Sequence, residues 1–252
     1  MVMLEASQLT KVYGNEETAT PALNGVNLSV EKGDFIAIMG PSGSGKSTLL
    51  NILSGLDQPT SGKVTIAGEP LENLKGDDLA LFRRRKLGFV FQDFNLLDSL
   101  TVKENIILPM ILEKKELGEM EEKVQELGGL FGIGSILNSY PYQVSGGQQQ
   151  RTAVSRAMVN EPGIILADEP TGNLDSMSSE SIMECFEKVV REMETTVILV
   201  THDVFAASYA REVVFLKDGS IHSTIQRSGD RETFLRQILD AQRAFGGRTH
   251  AL

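Results

Sequence analysis

Short apolar runs with a two-residue period fill the first forty positions of the chain. Residues 4–10 and 23–30 alternate in this way, and a Lys32-Gly33-Asp34 turn separates the second run from residues 35–39. This spacing predicts β-strands. From Ser47 the apolar positions become Leu49, Leu50, Ile52, Leu53 and Leu56, the spacing of one helical face, stopped by Gly55 and Pro59. A strand, a glycine-rich bend and a helix therefore follow one another. After a further strand at 63–67, residues 93–160 lose the β-branched alternation and become rich in Leu, Glu and Lys, which predicts a helical lobe. Strands return at 164–167 and 196–200, with a helix over 178–193 between them and a short helix after Asp203. Residues 213–216 and 221–225, joined by Asp218-Gly219, predict a closing hairpin. Alternating β and α units imply an α/β fold with a mostly parallel core sheet.

Bulk properties narrow the function. The chain has 252 residues, 41% of them hydrophobic, enough for one domain with a sizeable core. Its net charge of -10 argues against a nucleic-acid partner, which calls for a concentrated basic surface. The one basic run, Arg83-Arg84-Arg85-Lys86, is expected to be a solvated face beside the site. Cys185 is the sole cysteine, so no disulfide can form within the chain, and its helical spacing makes it a small core residue. No secretion signal opens the sequence. No window approaches the ~18 apolar residues that cross a bilayer, so a membrane role would run through a partner.

Chemistry concentrates in two places. Gly40-Pro41-Ser42-Gly43-Ser44-Gly45-Lys46-Ser47 matches the P-loop spacing between a predicted strand and helix. Backbone N–H groups from Ser42 to Thr48 and the positive end of the helix dipole suit a polyphosphate. Lys46 adds a point charge, and the Ser47 hydroxyl is a ligand for Mg²⁺. The second place is Ile164-Ile165-Leu166-Ala167-Asp168-Glu169, an apolar run ending in two carboxylates. A buried parallel strand would deliver them at the edge of the sheet where ligands bind. Asp168 then serves the metal, and Glu169 activates water as a general base. Alone, the pair reads more readily as a helix N-cap.

Val144-Ser145-Gly146-Gly147-Gln148 joins these two motifs, and the combination resembles the ABC ATPases. Tyr13, Phe91-Gln92, Asn173-Leu174-Asp175 and Thr201-His202-Asp203 fall in that family's order, so the resemblance spans essentially the whole chain. It implies an ABC cassette over residues 1–252, with an N-terminal antiparallel β subdomain, a helical lobe and a C-terminal helical tail over about 229–252. Tyr13 would stack on adenine, although a strand-end core aromatic is an alternative. Gln92 would touch metal or water, and His202 would contact the γ-phosphate and hold water and Glu169 in line. Ser145, Gly146, Gly147 and Gln148 open a helix whose amides form a second phosphate cradle, where an ordinary capped loop is the competing reading. The resemblance assigns this cradle and Asp175 to the partner's site in a head-to-tail homodimer.

Further resemblances concern the task. Residues 93–105 are similar to the stretch that touches the permease in transport ATPases, with Phe94, Leu96 and Leu97 expected as an exposed patch. The clusters Phe-Gln-Asp-Phe-Asn-Leu-Leu and Thr-Gly-Asn-Leu-Asp resemble the branch serving macrolide export, lipoprotein release and cell-division permeases. The segment from Gly229 through Phe234 to Gly246-Gly247 looks like the tail of bacitracin-type peptide-resistance ATPases, or equally an amphipathic end helix. These resemblances imply an ATPase peripheral to the cytoplasmic face of the plasma membrane. Its substrate would be ATP, its metal Mg²⁺, and its partners an integral-membrane permease and, in the peptide-resistance branch, a sensor kinase. A soluble ABC protein of translation or repair is the rival class.

Overall fold

In the computed structural model, which describes residues 1–15 and 18–246, the strands form two sheets. The first is antiparallel: β1 (Val2–Tyr13) lies between β2 (Thr20–Glu31) and β4 (Ser61–Ile66), with the two-residue β5 (Glu69–Pro70) at its edge. The strands run past the predicted 4–10 and 23–30, because backbone pairing persists through bulges where the apolar alternation has already ended.

β3 (Phe35–Met39) belongs to the second sheet and leads into α1 (Lys46–Leu53). It sits centrally, in the order β10-β9-β3-β8-β7-β6. The other members are β6 (Leu87–Phe91), β7 (Ile164–Asp168), β8 (Thr196–Val200), β9 (Glu212–Lys217) and β10 (Ser220–Gln226). β6, β7, β8, β3 and β9 run parallel, and β10 closes the edge as an antiparallel hairpin strand. Every residue of β3 and β8 is buried, yet the two faces still alternate. Phe35, Ala37, Met39, Val197 and Leu199 pack toward the helices, whereas Ile36, Ile38, Ile198 and Val200 pack toward α1 and the antiparallel sheet. Covering both faces explains the unbroken apolar runs.

The chain between β5 and β6, for which the apolar pattern gives no element, forms α2 (Gly76–Lys86). Its basic end is not merely a solvated face. Arg83 donates to the Gly55 carbonyl, while Arg84 and Arg85 pair with Glu113, whose side chain is 8% exposed. The lobe consists of α3 (Val102–Leu112), α4 (Leu117–Leu130) and α5 (Gly146–Met158). α6 (Ser176–Met193) and the short α7 (Val204–Ala207) follow β7 and β8. Cys185 on α6 is buried, and that burial pushes its thiol up to about 11.

The tail forms α8 (Arg231–Gly246), anchored by fully buried Phe234 and Ile238. Gly247 and the rest of the expected tail lie outside the described residues. Among the described residues, no helix is long and apolar enough to cross a membrane.

Candidate functional site

The parallel strands end together, and their loops line a cleft of about 750 Å³. Gly40, Pro41, Ser42, Lys46, Gln92, Glu169 and His202 line it, joined by Phe215 and Lys217 of β9 and Gln242 of α8. The topology thus gathers residues from six separate stretches of chain, five of them at the carboxyl ends of parallel strands, the usual ligand position of such sheets.

Gly45 turns the P-loop into α1 with φ 102°, a left-handed conformation that costs glycine little. A side chain there would also strike the Ala22 carbonyl, which lies 2.4 Å from the Cβ position. No side chain caps α1, so its first amides are left for an anion. The Lys46 ammonium donates to the carbonyls of Gly40 (2.8 Å) and Pro41 (3.0 Å), which holds it across the mouth of the loop. Burial lowers its pKa, and the charges of Glu169 and Asp168 oppose that shift.

Asp168 closes β7 beside Ser47. Burial raises its carboxyl pKa, Glu169 adds to the rise, and Lys46 and a hydrogen bond with Ser47 counter it. A carboxylate and a hydroxyl held together, with the Gln92 amide on the same cleft, are the hard oxygen donors that suit Mg²⁺. Glu169 is no helix N-cap. It adopts φ 47°, strained for a non-glycine residue, and its side chain is fixed by three donors. Thr201 Oγ1 donates to Oε2 at 3.0 Å, the His202 backbone N–H to the same oxygen at 3.3 Å, and His202 Nδ1 lies 2.8 Å from Oε1. A carboxylate only accepts, so Nδ1 carries the proton, and the exposed ring can offer Nε2 elsewhere.

Gln92 turns toward Asn173: its Nε2 donates to Asn173 Oδ1 at 3.1 Å, and Asn173 Nδ2 donates to the Gln92 carbonyl and to Asp93. Tyr13 is 42% exposed, which removes the core-aromatic alternative. It stands beside Thr48 at the start of α1.

Tyr13, the Ser145 helix start and Asp175 lie outside the cleft lining. Ser145 caps α5 in a reciprocal box: its hydroxyl accepts from Gln148 N at 3.3 Å, and Gln148 Oε1 accepts from Ser145 N at 2.9 Å. Gly147 sits so close to α6 that a Cβ would lie 2.9 Å from Ser178 Oγ. Asp175 caps α6, accepting from Ser178 N at 3.0 Å and Ser178 Oγ at 2.7 Å. The expected patch changes too. Leu97 is 47% exposed, but Phe94 and Leu96 are half-buried, and Arg156 holds the Phe94 and Asn95 carbonyls. A separate groove of about 450 Å³ has half-buried Phe89, Phe91, Leu108 and Pro109 and exposed Leu56 and Leu112 in its wall.

One residue missed from sequence ties these parts together. Fully buried Gln150 on α5 donates to the carbonyls of Phe91 (3.2 Å) and Pro170 (2.7 Å), next to Gln92 and Glu169. Its only signal was a polar side chain on the apolar face of Ala153, Val154 and Ala157. A separate concavity of about 500 Å³ on the lobe is walled by ion pairs such as Lys123 with Glu161 and contains no predicted site residue.

The family model for the ABC transporter matches residues 23–172, more than half of the chain. The chain belongs to that family. The cassette is 44% identical to the bacitracin export ATP-binding protein BceA of Halalkalibacterium halodurans, over 98% of both chains. It is 43% identical to a macrolide export ATP-binding/permease protein MacB of Syntrophobacter fumaroxidans, over 91% of this chain and 32% of that longer one. Its fold matches the solved dimeric post-hydrolysis state of the ATP-binding cassette MJ0796, bound to ADP and Pi. That match has a TM-score of 0.82 at 42% identity and covers 90% of this chain and 100% of the other. The chain is therefore an ATP-hydrolysing, ATP-binding subunit of ABC transporters.

Proposed function

We propose that two copies of this cassette close head to tail on ATP and Mg²⁺, and that the cycle drives a separate membrane permease in resistance to bacitracin-like antimicrobial peptides. The observation that carries the reading is spatial. The cleft is lined by Lys46, Glu169 and His202, while the Ser145 helix start and Asp175 lie outside its lining, so a second subunit supplies what one lacks. The dimeric solved cassette and full-length similarity to a bacitracin exporter support it.

In this reading the amides at Gly45, Lys46 and Ser47 hold the β-phosphate and γ-phosphate. Lys46 exchanges the Gly40 and Pro41 carbonyls for phosphate oxygens. Ser47, Asp168 and Gln92 would hold the metal, which would supply positive charge to offset that of the phosphates. Glu169, aimed by Thr201 and His202, accepts the proton of the attacking water. His202 turns Nδ1 to Glu169 and leaves Nε2 toward the γ-phosphate. The Gln92–Asn173 bond and the Gln150 bridge pass lobe movement to the reacting centre. A permease helix occupies the apolar groove beside β6, with Leu97 at its rim. A sensor kinase on that complex, and a location at the cytoplasmic face of the plasma membrane, follow from the same peptide-resistance reading.

Light scattering tests the dimer. Glu169→Gln should keep MgATP and double the molar mass of the purified chain. A variant that stays monomeric at saturating MgATP overturns the proposal.

A further inference from the structure

Tyr13, beside Thr48 on the helix that follows the P-loop, does not stand alone. Its hydroxyl donates to Asp57 Oδ2 at 2.7 Å, and the other Asp57 oxygen accepts from Lys11 Nζ at 2.7 Å and from Gln58 N at 2.7 Å. Lys11 Nζ also donates to the Gln58 carbonyl at 2.7 Å and lies 4.7 Å from the centre of the Tyr13 ring. The segment carrying Asp57 hangs from the end of α1, where the N–H groups of Leu56 and Asp57 both donate to the Asn51 carbonyl. Thr60 binds it back to β1 through Val12 N and the Thr10 carbonyl.

An exposed aromatic ring is normally free to swing about its side-chain bonds, and holding it still costs conformational entropy at the moment of binding. Here the hydroxyl is tied to a carboxylate whose own two oxygens are committed, and an ammonium covers one ring face. We propose that Asp57 and Lys11 are positioning residues that preform Tyr13 as a one-sided platform for the nucleotide base. The base stacks on the face opposite Lys11. Because the platform is bolted to the helix that follows the P-loop, base and phosphates are read in one fixed register. This rests on the reading of Tyr13 as the base-stacking residue, and the experiment separates the two.

The probe pair is ATP and inorganic tripolyphosphate, which keeps the phosphates and lacks the base, each competed against a fluorescent ATP analogue on the purified chain. Tyr13→Ala should erase most of the preference for ATP, a loss of about tenfold, in line with the stacking of a base on an aromatic ring. Asp57→Ala should weaken ATP binding by about fivefold and leave tripolyphosphate binding unchanged, which also shows that the P-loop is folded. Asp57→Asn, which keeps an acceptor for the tyrosine, should restore most of the loss, and Lys11→Met should lose about twofold. If Tyr13→Ala loses the preference while Asp57→Ala and Lys11→Met keep it, the positioning proposal is overturned and the stacking role survives. If Tyr13→Ala keeps the preference, the stacking role fails and the proposal with it. If Asp57→Ala weakens both ligands equally, Asp57 is only a structural support of α1 and the proposal fails.

Discussion

The helix after the P-loop begins at a left-handed glycine with no side-chain cap, whereas the helix after Ser145 begins with both halves of a capping box in place. The first start is incomplete by itself: its amides face the cleft, and an anion is the partner they lack. The second is complete without any ligand. Its box uses the N–H groups of Ser145 and Gln148, so a phosphate meets only the glycine amides and the hydroxyl proton. The contrast divides the labour. A lone subunit binds nucleotide through α1, and α5 adds its contribution only when a second subunit presents it.

The largest break in this comparison is Lys46→Ala. It removes the ammonium held by the Gly40 and Pro41 carbonyls and should lower steady-state phosphate release by two to three orders of magnitude, about 2.7–4 kcal/mol, with weakened nucleotide binding in the lone subunit. Gly147→Ala acts on the other start. The added methyl meets Ser178 Oγ at 2.9 Å and pushes α5 away from α6, so phosphate release should fall about tenfold while equilibrium dialysis of ATP on the monomer stays unchanged.

Asp168→Asn gives the smallest effect and sharpens the electrostatic side. Burial and Glu169 raise the native pKa of Asp168, so its carboxyl contributes most to stability when protonated, and that contribution is lost as pH rises through the raised pKa. The variant should therefore melt slightly higher than the parent at pH 7. The advantage should vanish as pH falls through the carboxylate range, as followed by thermal denaturation without nucleotide.

Much of this could be read from the chain because buried parallel strands write unbroken apolar runs. β3 and β8 coincide with the predicted segments, and the P-loop and the paired acids lie at the ends of β3 and β7 as local spacing implies. α2 was illegible for a physical reason: only Phe82 of its eleven residues is buried, so no apolar stripe announces it. The second sheet of contacts around the site was hidden as well. Asp57 lies 44 positions from Tyr13, and Gln150 lies 59 from Phe91, so no local pattern pairs them. Phe94 misled because an aromatic in a polar loop looks exposed, whereas Arg156 draws that loop against α5 and packs the ring near Gly146.

Whether each nucleotide is held between two chains is tested most directly by mixing two crippled subunits. In a Glu169→Gln background, Lys46→Ala breaks the α1 side and Ser145→Arg blocks the α5 side, so neither variant alone should trap ATP. An equal mixture should form heterodimers with one intact composite site and retain one ATP per dimer after gel filtration. Failure of the mixture to retain ATP, or retention by the Ser145→Arg chain alone, would contradict the account.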